Sequence, residues 1–201
     1  MTPKWMSDLT ADIRTGTIFD DQDAPELAGL KCTWEEITED NRRELISKFL
    51  CVRECARAIL EIGVSRNGMG SFTRCFLRHK KRETIYVGIY LDDKSFLNDA
   101  ENNIHTIRNN SSNYAENLAI IQSLGVRQLD FILIDGWHSI NQCYDDWEYT
   151  RLLSDEGIVA FHDTSWHPGS SRFIRALDKK KFLVEENVCP NDWGLGFVSK
   201  R

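Results

Sequence analysis

Four residues that can do acid–base or metal chemistry come at the ends of two apolar segments. Asp135 ends the run LDFILID and His138 follows three residues later, while His162 and Asp163 end GIVAFHD. A carboxylate at the end of an apolar strand is costly unless a metal, an ammonium group or a hydrogen-bond donor meets it. If both segments are parallel strands, their carboxyl ends share one sheet edge, where open α/β sheets bind ligands. The pattern therefore predicts a site built from these four residues.

Three roles are open to the residues of the predicted site: metal binding, general-base catalysis and structural hydrogen bonding. Carboxylates with water can hold a hard divalent cation, so we expect weak binding of Mg²⁺ or Mn²⁺ at Asp135 and Asp163. Zinc fits less well, because no cysteine accompanies them. Alternatively, His138 acts as a general base beside Asp135, since an imidazole titrates near neutral pH. A third interpretation makes each histidine a purely structural hydrogen-bonding residue.

A second cluster follows the first predicted strand, in ILEIGVSRNGMGSF. Gly63 and Gly68 allow positive φ angles and close approach of the backbone to a ligand. The dinucleotide fingerprint G-x-G-x-x-G is absent. Glu61, just before the turn, suits a ligand with an ammonium group and would repel a pyrophosphate. We therefore predict a binding loop for an amino-acid-bearing nucleoside; the alternative is a plain strand-to-helix turn.

The second strand is expected to end in an acidic residue that accepts hydrogen bonds from a ribose. Tyr90 stands at that position, and Asp92 follows it by two residues. Asp92 is the substitute candidate for ribose binding. It could equally open the next loop.

Apolar β-branched runs alternate with helical patterns through most of the chain. Runs that are apolar on both faces are typical of parallel strands covered by helices on both sides. The last two strands, joined by CPNDW, are expected to pair antiparallel. The fold class is thus α/β, a Rossmann-like doubly wound sheet closed by a C-terminal hairpin. The predicted strands are 58–64, 85–91, 104–107, 129–134 and 158–161; the predicted helices are 32–55, 71–79, 95–101, 113–124, 139–153 and 171–177.

Composition narrows the class of protein. The 201 residues carry 25 Lys and Arg against 31 Asp and Glu, a net charge of −6, which argues against a nucleic-acid partner. No apolar run reaches the length of a membrane span, and the N-terminus has no signal-peptide core. Six cysteines without C-x-x-C pairs indicate reduced thiols and a cytoplasmic location. We expect an N-terminal arm or partial lid at 1–31 and a single domain at 32–201.

The motifs resemble one branch of the class I S-adenosylmethionine-dependent methyltransferases, the cephalosporin hydroxylase-like and macrocin O-methyltransferase-like proteins. The similarity covers about 58–198, and D-G-W-H-S followed by G-I-V-A-F-H-D is its most specific part. The resemblance implies that Glu61 lies by the methionine amino group of the cofactor. It also implies that Gly63, Gly68 and Ser71 belong to the cofactor loop.

Further site residues are implied by the same resemblance. Asn110 or Ser111 would approach the adenine, and Asp135 would face the methyl donor. In metal-dependent members the counterparts of Asp135, His162 and Asp163 bind Mg²⁺. The chain departs from the family pattern at three positions. Tyr90 replaces the family's usual acidic residue, Trp137 stands where some metal-dependent members carry a further carboxylate, and His162 stands where those members often have an acidic ligand.

The predicted function is transfer of a methyl group from S-adenosylmethionine to a hydroxyl of a small molecule or sugar. The alternative is a methyltransferase fold that has lost turnover and serves as a binding or scaffold module. A homo-oligomer is compatible with either function. A hydrolase or dinucleotide oxidoreductase ranks lower, because neither G-x-S-x-G nor a dinucleotide fingerprint is present.

Overall fold

The computed structural model describes residues 39–63, 71–191 and 193–201; the side chains of Glu39 and Ser71 are not described. The predicted arm at 1–31 lies outside these residues, as do 32–38 of the first predicted helix. The strands are β1 (Ala58–Ile62), β2 (Ile85–Tyr90), β3 (Ile104–Arg108), β4 (Leu129–Ile134), β5 (Leu153–His162), β6 (Phe182–Val188) and β7 (Leu195–Lys200). The helices are α1 (Glu39–Arg53), α2 (Ser71–His79), α3 (Tyr114–Ser123), α4 (Ile140–Trp147) and α5 (Pro168–Ala176).

The strands form one sheet in the order β3-β2-β1-β4-β5-β7-β6. The first five strands in that order run parallel, whereas β7 is antiparallel to both β5 and β6. The predicted doubly wound sheet with a C-terminal antiparallel hairpin is therefore confirmed. The strands β2 and β3 are added on one side of β1, whereas β4 and β5 are added on its other side. The carboxyl ends of β1 and β4, where this order reverses, therefore border a crevice.

Helices cover both faces of the sheet. On one face, Phe49 of α1 and Phe76 of α2 pack edge-on or tilted against Phe131 of β4, with ring centroids 5.4–5.6 Å apart. On the other face, α3, α4 and α5 enclose a second buried cluster centred on Trp147. The central strands β1 and β4 are buried along their whole length, which explains why they are apolar apart from Glu61 and Asp130.

Several predicted boundaries were wrong. Instead of a helix at 95–101, the chain makes two short 3₁₀ turns, Ser95–Leu97 and Ala100–Asn102, and the Asp93 carboxylate accepts a hydrogen bond from the Ser95 N–H. The helix predicted at 139–153 ends at Trp147 and continues as a 3₁₀ turn, and β5 starts at Leu153. The last helix starts at Pro168, because proline lacks the N–H that a first helical turn leaves unused. Among the described residues, no helix is long and apolar enough to cross a bilayer.

Trp147 tests the packing of this layer. The side chain is fully buried against Phe161, Phe173 and Phe182, and its indole N–H meets no acceptor among the described residues. We expect Trp147→Ala to lower the free energy of unfolding by about 3–5 kcal/mol, because it leaves a cavity. Trp147→Phe should cost much less, since it keeps an aromatic ring and removes an unsatisfied donor. Urea unfolding of both variants checks this, and equal losses would contradict it.

Candidate active site

The carboxyl ends of β4 and β5 bring the four predicted residues together. The register pairs Ile134 with Phe161, so the next residues, Asp135 and His162, stand side by side. His162 Nδ1 lies 2.9 Å from Asp135 Oδ1, and His138 Nε2 lies 2.8 Å from Asp163 Oδ2. The side chains retain between 6% and 19% exposure. The four side chains thus lie together, at an edge that is only narrowly open to solvent.

His162 is held on both ring nitrogens. Nδ1 faces Asp135, while Nε2 lies 3.5 Å from Nδ2, the side-chain amide nitrogen of Asn41, a buried residue of α1. With Asn41 donating to Nε2, the proton of a neutral ring is on Nδ1 and is donated to Asp135. Phe72 of α2 packs edge-on against the ring, with centroids 5.0 Å apart. His162 is therefore a buried hydrogen-bonding residue that orients Asp135.

Asp163 has an unusual backbone conformation that sets the direction of the loop that follows it. Its φ is +58°, in the left-handed region that few side chains other than Asn and Asp enter. The next residues turn back, and the N–H of His167 donates to the carbonyl of Asp163 at 2.9 Å. His167 Nε2 thereby comes within 3.9 Å of Asp163 Oδ2. Sequence reasoning missed His167, although its place four residues after Asp163 was a readable signal.

The charges of this cluster are interdependent. Burial alone would raise the pKa of Asp163, but the neighbouring imidazoles, His162 and His138 foremost, lower it to about 2. Burial, together with the charge of His138, lowers the pKa of His167 to about 4. At neutral pH the carboxylate is ionised and His167 is uncharged.

Mg²⁺ fits this arrangement poorly. It prefers oxygen ligands in octahedral geometry, with several waters retained. Asp135 and Asp163 supply carboxylate oxygens, but His162 places an N–H between them, 2.9 Å from Asp135 Oδ1 and 3.3 Å from Asp163 Oδ1. A ring nitrogen stands at the position that the resemblance assigns to a metal ligand, where Mg²⁺ prefers an oxygen.

Gly63 joins the loop after β1 to this cluster. Its φ is +81°, and a Cβ there would lie 2.1 Å from the carbonyl oxygen of Asp135 and 2.5 Å from the Cα of Gly136. The N–H of Asp135 donates to the carbonyl of Ile62 at 2.8 Å. Only glycine allows this backbone contact. Gly68 lies outside the described residues, and Ser71 opens α2.

Glu61 is buried in a hydroxyl network. Its carboxyl group accepts hydrogen bonds from Thr73 at 2.9 and 3.0 Å and from Tyr86, and the Tyr86 and Tyr90 hydroxyls are 2.6 Å apart. Tyr90 folds back over Gly88, where a Cβ would meet its ring at 2.3–2.5 Å. Burial raises the pKa of Glu61 to about 8, although both hydroxyl partners lower it. The side chain is 1% exposed, so a ligand ammonium must exchange for one of these hydrogen bonds.

The remaining predicted residues lie at the same edge but further from the carboxylates. Asp92 is exposed in the loop after β2, and Asn110 is exposed in the loop after β3. Half-buried Ser111 accepts a hydrogen bond from Gln142 at 3.0 Å, and Gln142 also donates to Asp146 at 2.9 Å. Burial raises the pKa of Asp146 to about 7, with its hydrogen bonds opposing the shift. Asp146 thus ties α4 to the loop after β3, as a positioning residue.

Comparison with known proteins identifies the fold's family. A family model described as a methyltransferase domain matches residues 60–164, or 105 of the 201 residues. The chain belongs to the methyltransferase domain family. The sheet order and the C-terminal hairpin make it a class I S-adenosylmethionine-dependent methyltransferase domain. No curated protein matches its sequence.

Solved methyltransferases share the fold at low sequence identity. The MycE methyltransferase of the mycinamycin biosynthetic pathway, solved with Mg and SAH, superimposes with a TM-score of 0.62 at 16% identity, covering 92% of this chain and 54% of that one. The domain therefore spans about half the length of MycE. A putative rRNA methylase from Clostridium thermocellum gives 0.57 at 14% identity, covering 82% and 99%. An rRNA methylase from Streptococcus thermophilus gives 0.55 at 10%, covering 78% and 94%.

The buried carboxyl of Glu61 makes the stability of this methyltransferase domain depend on pH. Its pKa is about 8 in the native state and near 4.5 when unfolded, so this contribution is complete below about pH 4.5 and is lost as the pH rises towards 8. Glu61→Gln keeps a neutral side chain at every pH. We expect the variant to gain stability relative to the wild type as pH rises from 5 to 8, by up to about 1.4 kcal/mol per pH unit.

Urea unfolding at several pH values measures this difference. The exposed Glu156 of β5 offers the matched control, because Glu156→Gln removes a carboxylate that lies in solvent. A stability difference between Glu61→Gln and the wild type that stays constant with pH would show that Glu61 is ionised in the folded protein.

Proposed function

We propose that this methyltransferase domain transfers a methyl group from S-adenosylmethionine to a hydroxyl of a small molecule or sugar, with His138 as the general base. The observation that carries the proposal is the pairing of His138 Nε2 with the ionised Asp163 at 2.8 Å, at the sheet edge where this fold binds its ligands. The cofactor's sulfonium supplies an activated methyl group when bound. The protein then has to orient an oxygen nucleophile and remove its proton.

The contacts of His138 favour one of its two ring nitrogens as the proton acceptor. His138 Nε2 lies 2.8 Å from the ionised Asp163, which can only accept a hydrogen bond, so a neutral ring carries its proton on Nε2. Its lone pair is then on Nδ1, which lies 3.5 Å from the hydroxyl of Ser170, a buried residue of α5. When Nδ1 accepts the proton of the acceptor hydroxyl, Asp163 at 2.8 Å and Asp135 at 3.9 Å from Nε2 pair with the imidazolium that forms. The base and its counter-charge are thus in place before the acceptor binds.

The cofactor is expected along the carboxyl ends of β1 and β2. Its amino group would be received by Glu61 and its backbone by the loop that includes Gly63 and Gly68, with Ser71 at the start of α2. Tyr90, at the position expected to bind the ribose, is turned inward onto Tyr86. The exposed carboxylate of Asp92, two residues later, would bind the ribose in its place. Asn110 and Ser111 would flank the adenine from the loop after β3.

The surroundings of the cluster favour a compact acceptor over RNA. Trp137 next to His138 is 64% exposed, and Trp166 next to His167 is 46% exposed. Two such indoles offer flat apolar faces to a ring-shaped acceptor. The net charge of −6 and the carboxylates at this edge would repel a polyanion. Mg²⁺ assistance stays the weaker form of the proposal, because His162 places an N–H among its oxygen ligands.

Cofactor binding should release a proton through Glu61. Its pKa of about 8 makes the free carboxyl largely neutral below pH 7, and it must ionise to pair with an ammonium group. We expect affinity for S-adenosylmethionine to rise with pH between about 5.5 and 7, by up to tenfold per unit. Calorimetry in two buffers with different ionisation enthalpies counts the protons released.

The matched variant is Glu61→Gln, which should bind more weakly and release no proton. Equal proton release in both proteins would remove Glu61 from the cofactor site. Absence of any binding by the wild type would favour the inactive scaffold function.

The assignment of the base is tested by His138→Ala. We expect kcat to fall about 10²–10⁴-fold with little change in cofactor affinity, because only the proton transfer loses its acceptor. Turnover is followed as S-adenosylhomocysteine released with a panel of hydroxylated sugars and phenols, and with an rRNA fragment as the competing acceptor class. His79→Ala, at the end of α2, is the control. Retained turnover together with a lower melting temperature would make His138 a structural residue.

A further inference from the structure

His167 extends the cluster beyond the residues considered so far. Asp163 Oδ2 lies 2.8 Å from His138 Nε2 and 3.9 Å from His167 Nε2, so two imidazole nitrogens converge on one carboxylate oxygen. The two rings lie 4.6 Å apart, with 35° between their planes. All three donor atoms fall within 4.8 Å of one another.

We propose that His138, His167 and Asp163 form a binding site for a divalent transition-metal ion of the Zn²⁺ class. Around a tetrahedral ion with ligand bonds near 2.0–2.1 Å, neighbouring ligand atoms are about 3.3 Å apart. The observed spacings of 2.8 and 3.9 Å bracket that value. Two imidazoles with one carboxylate leave a fourth position for water, a set that favours Zn²⁺, Co²⁺ or Ni²⁺ over Mg²⁺.

The supporting contacts hold the ligands in place without using the donor atoms. His138 presents its other nitrogen, Nδ1, to the buried Ser170 hydroxyl at 3.5 Å. The main-chain bond from His167 to Asp163 fixes the spacing of those two residues at 2.9 Å between nitrogen and oxygen. Hydrogen bonds of this kind orient imidazole ligands in metal sites.

This site differs from the Mg²⁺ set that the family resemblance implies. His162 belongs to that set, but its nitrogens face Asp135 and Asn41. The proposed site shares only Asp163 with it and takes both other ligands from outside it.

Occupancy would affect the proposed reaction. A metal ion on His138 Nε2 leaves the ring proton on Nδ1, so the ring has no lone pair to act as the general base, and Zn²⁺ should inhibit methyl transfer. This consequence rests on the proposed function, whereas binding of the metal does not. The two are distinguished by measuring binding directly.

The experiment uses the full chain, freed of metal with a chelator, with Cys51 and Cys55 changed to serine, because both thiols are exposed and would bind Zn²⁺ themselves. Zn²⁺ and Mg²⁺ are titrated by calorimetry, and Co²⁺ is titrated by visible absorption, which reports the ligand geometry. His167→Gln, His79→Gln and Asp135→Asn are compared in the same background.

We expect one Zn²⁺ to bind far more tightly than Mg²⁺, with the intense Co²⁺ bands of a four- or five-coordinate site. His167→Gln should weaken Zn²⁺ binding about 100-fold or more, whereas His79→Gln should leave it unchanged. Circular dichroism confirms that each variant is folded. Zn²⁺ binding no tighter than Mg²⁺ binding would overturn the proposal. It would also be overturned if Asp135→Asn abolished binding and His167→Gln did not.

Discussion

Imidazole–carboxylate pairing is the interaction on which the arrangement of this sheet edge depends. Asp135 and Asp163 follow adjacent buried strands, and two ionised carboxylates so close together would repel each other and draw in water. His162 meets the first at 2.9 Å and His138 meets the second at 2.8 Å, and both rings are largely buried. The pairing allows both strands to end in carboxylates while water stays out of the apolar core next to them.

The same pairing connects the edge to the helices around it. Through Asn41 and Phe72, His162 makes contact with α1 and α2, and through Ser170, His138 makes contact with α5. Gly63 brings the loop after β1 against Asp135, so the predicted cofactor loop and the acid–base cluster share one backbone contact. A displacement of the cofactor loop would therefore move the acid–base cluster, and the reverse also holds. Such coupling suits a reaction that must align methyl donor and acceptor.

The sequence was sufficient to predict the sheet, because its parallel strands are apolar on both faces and their polar ends fall at one edge. Asp135, His138, His162 and Asp163 were found for that reason. Boundaries between α and 3₁₀ turns, as after Trp147, depend on hydrogen bonds that periodicity does not encode. His167 reaches the cluster through a turn set by the positive φ of Asp163, and no hydrophobic pattern predicts such a turn.

Tyr90 shows the other kind of limit. Its position predicted a missing ribose contact, but not that its ring would fold over Gly88 to bring its hydroxyl to Tyr86 beside the Glu61 carboxyl. That placement requires that Gly88 has no side chain and that the strand register sets Glu61 beside Gly88. Side-chain contacts between strands follow from register, which the sequence of one strand alone does not contain.

A crystal structure with S-adenosylhomocysteine bound tests the central claim most directly, because it needs no knowledge of the acceptor. If the cluster at the ends of β4 and β5 is the reaction centre, the sulfur will face His138 across a gap that holds the transferred methyl group and the acceptor oxygen, with the amino group at Glu61. A sulfur on the far side of Asp135, out of reach of His138 and Asp163, would contradict the role given to this imidazole–carboxylate cluster.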